Sequence, residues 1–293
     1  MIDWGLTRHA ADGAMGACTP RLMPAASSLN RLAIRMDQQQ GLITILDALG
    51  ASSYSDPEIS KFLDSRDRVL RLLRRKANAK EVRGDIGEDV VSTFTFNDTV
   101  LIVYRTDGAA TLEDVEHFCR LLRKFEVDSL AQGILFRGSL SLGMFYVDDD
   151  TNTVMGAAVT DAAAWYDSAD WIGINATPHA TLAIEALVER GHGTVGHVLI
   201  DYAVPLKNLP PLNLKAVNWP KAFVVPSLTP VADGDDPRAK CLSLLTQHRF
   251  PKGTESKHFN TMKFFDHCIE SWQTDRRKRK RAGLTRFAAD SGR

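Results

Sequence analysis

The spacing of apolar positions changes several times between residues 42 and 146. Leu42–Asp47 is apolar on both faces, which is typical of a central buried strand. Helical spacing follows from Ile59 to Leu73. Two β-rich runs, Val90–Phe96 and Thr99–Arg105, are separated by a tight polar turn and predict a hairpin. A second amphipathic helix and a long strand complete the series.

This order of strand, helix, hairpin, helix and strand predicts an α+β fold with a ferredoxin-like mixed sheet and helices. Beyond it, Leu206–Pro230 is Pro-rich and is predicted to be irregular, and two closing helices are predicted over 235–247 and 257–272. The chain is therefore divided into an N-terminal lead-in (1–38), a catalytic domain (39–205), a C-terminal helical extension (206–274) and a basic disordered tail (275–293).

Composition excludes several classes of protein. Apolar content of 44% and charged content of 25% are those of an ordinary soluble domain, and 36 basic residues balance 36 acidic ones. This balance argues against nucleic acid as a partner, except through the basic run Arg276–Arg281. There is no apolar run long enough to span a membrane. Four widely spaced cysteines argue against a zinc site, and we expect a cytoplasmic protein.

Two aspartates are the strongest candidates for chemistry. Asp47 follows the first strand, and Asp98 lies at the tip of the predicted hairpin. If that strand pairs beside the hairpin, both carboxylates project from one end of the sheet. They could then hold Mg²⁺ or Mn²⁺, which neutralises a nucleoside triphosphate. The alternative is that both are ordinary turn residues, because Asp is common in turns.

The segment after Asp47 is built of small residues. Their backbone N–H groups could approach a triphosphate closely, as in an anion-binding nest. The candidate residues are Ala48, Leu49, Gly50, Ala51 and Ser52.

Four motifs resemble the catalytic domain of class III nucleotidyl cyclases over residues 40–205. Asp47–Gly50 matches a strand ending in Asp-x-x-Gly, and Asn97–Asp98 matches the turn that carries the second metal aspartate. Arg137–Gly143 keeps the arginine and the last glycine of Arg-x-Gly-x-x-x-Gly. Gly156–Ala164 matches a glycine followed by an Ala-rich helix.

The resemblance implies a mechanism. Two Mg²⁺ or Mn²⁺ ions per site are held by Asp47, Ala48 and Asp98, the ribose 3′-oxygen attacks the α-phosphorus, and pyrophosphate leaves. Sites in this family form between two catalytic domains, so it also implies a head-to-tail homodimer with composite active sites.

Departures from the family pattern concern the base pocket. Phe94 and Thr153 stand where purine cyclases carry a base-reading lysine and aspartate, and Thr160 and Ala164 replace the asparagine and the transition-state arginine. In this respect the chain resembles the stand-alone uridylate and cytidylate cyclases of bacterial Pycsar antiphage systems. Trp219-Pro220 and His258–Thr261 also resemble the C-terminal extension of that group.

This resemblance implies a substrate and a biological role. UTP or CTP would be converted to a cyclic monophosphate that a separate effector senses. Tyr54 and Phe94 could contact the pyrimidine ring, and Arg137 could contact phosphate. Two alternatives stay open, namely a purine cyclase that reads its base by other residues and a degenerate domain that binds nucleotide without turnover.

Overall fold

A computed structural model describes residues 38–79, 90–191, 193–225, 236–247 and 253–290. The predicted lead-in lies outside the described residues except for Gln38. The strands are β1 (Gln38–Ala48), β2 (Val91–Phe96), β3 (Thr99–Arg105), β4 (Phe136–Asp148), β5 (Thr153–Met155), β6 (Gly173–Ala176), β7 (Leu199–Val204) and β8 (Leu212–Val217). The α-helices are α1 (Asp56–Ala77), α2 (Leu112–Ala131), α3 (Ala157–Trp165), α4 (Pro178–Gly191), α5 (Pro237–Thr246) and α6 (Glu255–Asp290).

The strands form one mixed sheet in the order β2-β3-β1-β4-β6-β8-β7, and β5 pairs with the far end of β4. The pairs are antiparallel except for β4 with β6, which are parallel. The first four strands and two helices follow a β-α-β-β-α-β order, which confirms the predicted α+β class with a ferredoxin-like sheet.

Strand β1 lies at the centre because both of its faces are apolar. Leu42 and Leu46 belong to the core cluster that also contains buried residues of α1, α2 and α4. Ile43 and Ile45 point to the opposite face and pack with residues of α3. One face of the sheet is therefore covered by a layer of long helices, and the other face carries the short helix α3.

Local sequence explains where the helices begin. Ser55 and Glu58 form a capping box at the start of α1. Thr111 and Asp114 form the equivalent box at the start of α2. These reciprocal hydrogen bonds satisfy backbone donors that a helix start leaves without partners.

The prediction of an irregular segment over 206–230 is wrong in its centre. Strand β8 lies there, and it pairs with β7 from Leu199–Val217 to Val204–Leu212. The sheet consequently extends beyond the domain boundary predicted at residue 205. Alternation is present, since Leu214 and Ala216 are buried and Asn213 is exposed, but the flanking prolines concealed it.

The basic tail predicted to be disordered is helical as far as Asp290, because α6 continues through it. The earlier turns of this helix are anchored by the buried side chains of Phe264 and Phe265. Arginine, lysine, alanine and leucine are also strong helix formers, so a high charge does not by itself end the helix. Across the described part of the chain, none of the helices is both long and apolar enough to cross a membrane.

Candidate active site

Asp47 and Asp98 lie at the same end of the sheet. The register of β1 with β3 places Asp47 opposite Thr99, next in sequence to Asp98. The backbone N–H of Ala48 donates a hydrogen bond of 3.2 Å to the carbonyl oxygen of Asp98, which ties the hairpin tip to the end of β1. The structure thus brings together the two aspartates that the sequence singled out.

The hairpin tip has its own support. Asn97 has a left-handed backbone conformation, with φ of 53°, which a two-residue hairpin turn requires and asparagine tolerates. Arg66 of α1 is buried, and its Nη1 donates a hydrogen bond of 3.0 Å to the carbonyl oxygen of Asn97. Helix α1 therefore holds the turn that carries Asp98.

Arg137 orients the first aspartate. It lies opposite Asp47 in the register of β4 with β1, and its Nε and Nη2 donate hydrogen bonds of 3.0 Å and 2.8 Å to Oδ2 of Asp47. Its Nη1 donates to the carbonyl oxygen of Asp167 at 3.0 Å. The side chains of Arg137 and Asp47 are only 11% and 19% exposed. Among the described residues, these contacts use three of the five guanidinium N–H donors of Arg137.

The small-residue loop offers fewer backbone donors than predicted. The N–H of Leu49 donates to the carbonyl oxygen of Leu135 at 2.8 Å, so this amide is not available to phosphate. The loop then turns at Gly50, whose φ of 81° favours glycine, into a short 3-10 helix over Ala51–Ser53. The backbone amides of Gly50, Ala51 and Ser52 are left as the candidates.

Tyr54 flanks Asp98 from the helical side of the sheet. Its ring lies 5.7 Å from the ring of Phe62, and it lines a groove of about 380 Å³ together with Lys61. Partial burial raises the pKa of the Tyr54 phenol, and the carboxylates of Glu58 and Asp98 raise it further. The phenol therefore lies within electrostatic range of the candidate site.

A second tyrosine was missed by the sequence reasoning. Tyr166 follows the last turn of α3, next to Asp167, whose carbonyl oxygen binds Arg137. Partial burial raises the pKa of Tyr166, and Asp167, Asp47 and Asp98 also raise it, whereas Arg137 lowers it. This tyrosine carries no motif, and its proximity to both aspartates follows from the packing of α3 on the sheet.

Phe94 lies on the same sheet face as Asp47. It pairs with Leu101, which in turn pairs with Ile45, two residues before Asp47 in β1. Phe94 is partly exposed and packs against the core cluster under α3. The residue is therefore close to the site but is also a packing residue.

The remaining predicted residues are not brought to the aspartates within one chain. Thr153 pairs with Asp148, which is separated from Arg137 by most of β4, a distance of roughly 35 Å along an extended strand. Thr160 lies on the exposed side of α3, and its hydroxyl donates to the carbonyl oxygen of Gly156 at 3.1 Å. A role for either residue at this site requires a second copy of the chain.

The residues present fit a divalent cation that is shared with a substrate. Asp47, Asp98 and the carbonyl oxygen of Ala48 are hard oxygen donors, and Mg²⁺ usually takes one or two carboxylates plus phosphate oxygens and water. Within the described ranges there is no cluster of three or more His, Cys, Asp or Glu side chains that could hold a metal unaided. A site completed by triphosphate oxygens is consistent with this donor set.

Two solved structures similar to this chain are cyclases. One is the crystal structure of the guanylyl cyclase Cya2, with a TM-score of 0.39 and 12% identity over 62% of this chain and 93% of that one. The other is an adenylate/guanylate cyclase/hydrolase from Silicibacter pomeroyi, with a TM-score of 0.34 and 17% identity over 62% of this chain and 96% of that one. No protein-family model matches the chain, and no curated protein matches it either. At TM-scores this low, the function must be argued from the chain's own residues.

Proposed function

We propose that the chain is a metal-dependent nucleotidyl cyclase that converts UTP or CTP to the 3′,5′-cyclic monophosphate and pyrophosphate. The observation that carries this proposal is the placement of Asp47 beside the hairpin tip of Asp98, where the Ala48 amide binds the Asp98 carbonyl oxygen. Two adjacent carboxylates next to a small-residue loop are what a metal–triphosphate complex needs.

Each residue has a separate task in this proposal. Asp47 and Asp98 bind Mg²⁺ or Mn²⁺, and Arg137 holds the Asp47 carboxylate in one orientation. The backbone amides of Gly50–Ser52 donate to the triphosphate. The bound metal would lower the pKa of the attacking 3′-hydroxyl and neutralise charge on the phosphates. Tyr166 would contact substrate at the same edge, and the effect of both aspartates on its pKa supports this role.

A homodimer with composite sites would supply what one chain lacks. The sheet face that carries α3 also presents the large apolar side chain of Phe96, which is 78% exposed. We infer that this exposed ring belongs to the dimer interface. In a head-to-tail pair, the second copy would bring Thr153 and Thr160 to the aspartates.

The dimer has its own test. Phe96→Glu should shift the chain toward monomer in sedimentation experiments, because it would bury a charge in the interface. Leu182→Glu, at a 67% exposed position on α4, is the matched control and should leave the distribution unchanged. A Phe96→Glu variant that sediments as the parent does would argue against this face.

The choice of a pyrimidine rests on Phe94 and Thr153. Phe94 has no group that could hydrogen-bond to the edge of a purine, and Thr153 lacks the carboxylate of the aspartate that purine cyclases carry at this position. The proposal includes a role for the cyclic nucleotide as a second messenger in antiphage defence, read by a separate effector. This last part is supported by sequence resemblance alone.

Activity can be tested directly with purified protein. The chain is incubated with Mn²⁺ and each of the four ribonucleoside triphosphates, and the products are separated by chromatography. Cyclic UMP or cyclic CMP is expected, and Asp47→Asn and Asp98→Asn should each abolish it. Asp64→Asn, at an exposed position of α1, is the matched control that should keep full activity.

Other outcomes would redirect the proposal. Cyclic AMP or cyclic GMP alone would indicate a purine cyclase with another way of reading the base. If a verified dimer converts none of the four triphosphates, the chain would be a nucleotide-binding domain without catalytic activity. Full activity in Asp47→Asn would remove the metal assignment.

A further inference from the structure

A group of buried polar side chains lies away from the aspartate site, between α2 and the segment after β8. Glu126 and Ser129 of α2 are 8% and 1% exposed, and Trp219 is 3% exposed. In the part of the chain that the structure describes, Oγ of Ser129 and Nε1 of Trp219 have no hydrogen-bond partner. Neither carboxyl oxygen of Glu126 has a partner in full hydrogen-bond geometry, and the backbone N–H of Ile174 makes only a weaker approach to that carboxyl. Buried polar groups without partners are rare in folded proteins, so a cluster of them needs an explanation.

These three side chains line one small cavity of about 20 Å³. The rest of its wall is apolar and consists of Leu130, Ile134, Phe136, Ile172 and Leu245. A cavity needs room of roughly 10–15 Å³ and two to four polar partners to hold one water molecule. The volume is therefore that of a single water, and the polar groups on the wall are sufficient in number.

The hydrogen-bonding chemistry of the three side chains is also suited to one bound water molecule. Trp219 can only donate, Ser129 can donate and accept, and a neutral Glu126 can do both. Burial raises the pKa of Glu126 well above its ordinary value, and the backbone N–H of Ile174 lowers it in part, so burial favours the neutral form of the carboxyl. A water molecule could accept from Trp219 and exchange hydrogen bonds with Ser129 and Glu126.

We propose that this cavity is a binding site for one water molecule, hydrogen-bonded to Glu126, Ser129 and Trp219. The water joins α2, which packs on the central sheet, to the C-terminal part of the chain. That part contributes Trp219 before the 3-10 helix Pro220–Phe223, and Leu245 of α5. The site is independent of the proposed cyclase activity.

A metal ion does not fit the same cavity. Hard cations require several oxygen ligands and usually ionised carboxylates. This wall offers one carboxyl, whose burial disfavours ionisation, and one hydroxyl, whereas the indole N–H of Trp219 is a donor only and cannot act as a metal ligand. Water is the ligand whose donors and acceptors match all three groups.

A high-resolution crystal structure tests the site itself. One ordered water within hydrogen-bond distance of Glu126, Ser129 and Trp219 is expected. An empty cavity, or side chains that bind one another directly, would overturn the proposal.

A double-mutant cycle tests whether the three groups share one water. Ser129→Ala and Trp219→Phe each remove a partner, and each should raise the equilibrium constant for unfolding by about fivefold or more. In the combined variant, the equilibrium constant for unfolding should rise by less than the product of the two single increases, because each single substitution already displaces the water. Ser243→Ala, on the exposed face of α5, is the matched control and should change little.

The cycle also has an outcome that refutes the idea. If the combined variant of Ser129→Ala and Trp219→Phe raises the equilibrium constant for unfolding by the full product of the two single increases, the two side chains share no water. If Trp219→Phe does not fold, the same cycle is run with Glu126→Gln and Ser129→Ala. Additive effects in that pair would overturn the proposal equally.

Discussion

Replacement of Arg137 by alanine should destabilise the fold and disturb the aspartate site together. The guanidinium donates two hydrogen bonds to Oδ2 of Asp47 and a third to the Asp167 carbonyl oxygen. Removal of one partner from a buried ion pair costs about 3–5 kcal/mol, because the other charge stays buried without compensation. Asp47 keeps 19% of its side-chain exposure, and water can reach it in part, so we expect about 2–3 kcal/mol.

The assay is urea unfolding of parent and variants at constant pH. Arg137→Ala should lower the transition midpoint without a change in the slope of free energy against urea. Arg137→Lys keeps the charge but cannot make both bonds to Oδ2 of Asp47 and the third bond to the Asp167 carbonyl oxygen, so it should cost about 1 kcal/mol. Arg68→Ala on the exposed face of α1 is the control, with an expected change below about 0.5 kcal/mol.

A double-mutant cycle separates the pair from other effects. In an Asp47→Ala background, Arg137→Ala should cost much less than in the parent, because no carboxylate is left behind. The reasoning is refuted if Arg137→Ala behaves like Arg68→Ala, or if its cost is the same with and without Asp47.

Three further predictions follow from the same structure. Gly138→Ala should prevent folding or lower the free energy of unfolding in urea by more than about 2 kcal/mol, because the added Cβ would lie 2.2 Å from the carbonyl oxygen of Ile45. Gly196→Ala is the control and should be tolerated, because its Cβ would lie no closer than 3.5 Å to another atom, Oγ1 of Thr194. Because the pKa of Glu126 is raised in the folded state, its contribution to the free energy of unfolding is complete below the ordinary pKa of 4.5 and is lost as the pH rises through the folded-state pKa. Glu126→Gln should therefore flatten the plot of unfolding free energy against pH. A plot with the same shape as that of the parent would contradict this. A complex of Mn²⁺ with a non-hydrolysable nucleoside triphosphate analogue, at about 100 times its Kd, should stabilise the parent by about 2.7 kcal/mol in thermal unfolding, and Asp98→Asn should remove this gain.

Strand β1, the hairpin of β2 and β3, and the placement of Asp47 and Asp98 could be predicted because the relevant patterns are local. A strand apolar on both faces and a tight polar turn between β-rich runs need no knowledge of distant residues. The ion pair of Arg137 with Asp47 joins residues 90 positions apart, and it depends on the register of β4 with β1. Nothing in the local pattern specifies that register.

The same limit explains what sequence reasoning missed in the loop after β1. The amide of Leu49 is satisfied by Leu135 at the start of another element, and Tyr166 reaches the site through the packing of α3. Strand β8 was missed for a different reason, since prolines on both sides concealed a short alternating pattern. Tertiary contacts decide which backbone donors are left for a ligand.

The hydrogen bond from the Ala48 amide to the Asp98 carbonyl oxygen affects which substitutions this site could accept in the course of evolution. It uses main-chain atoms only, so it does not depend on which side chain stands at position 98. A substitution there can remove a charge while the hairpin tip stays in place. Catalysis could therefore be lost or altered without loss of the architecture, and an intact fold in a related chain would not by itself indicate turnover.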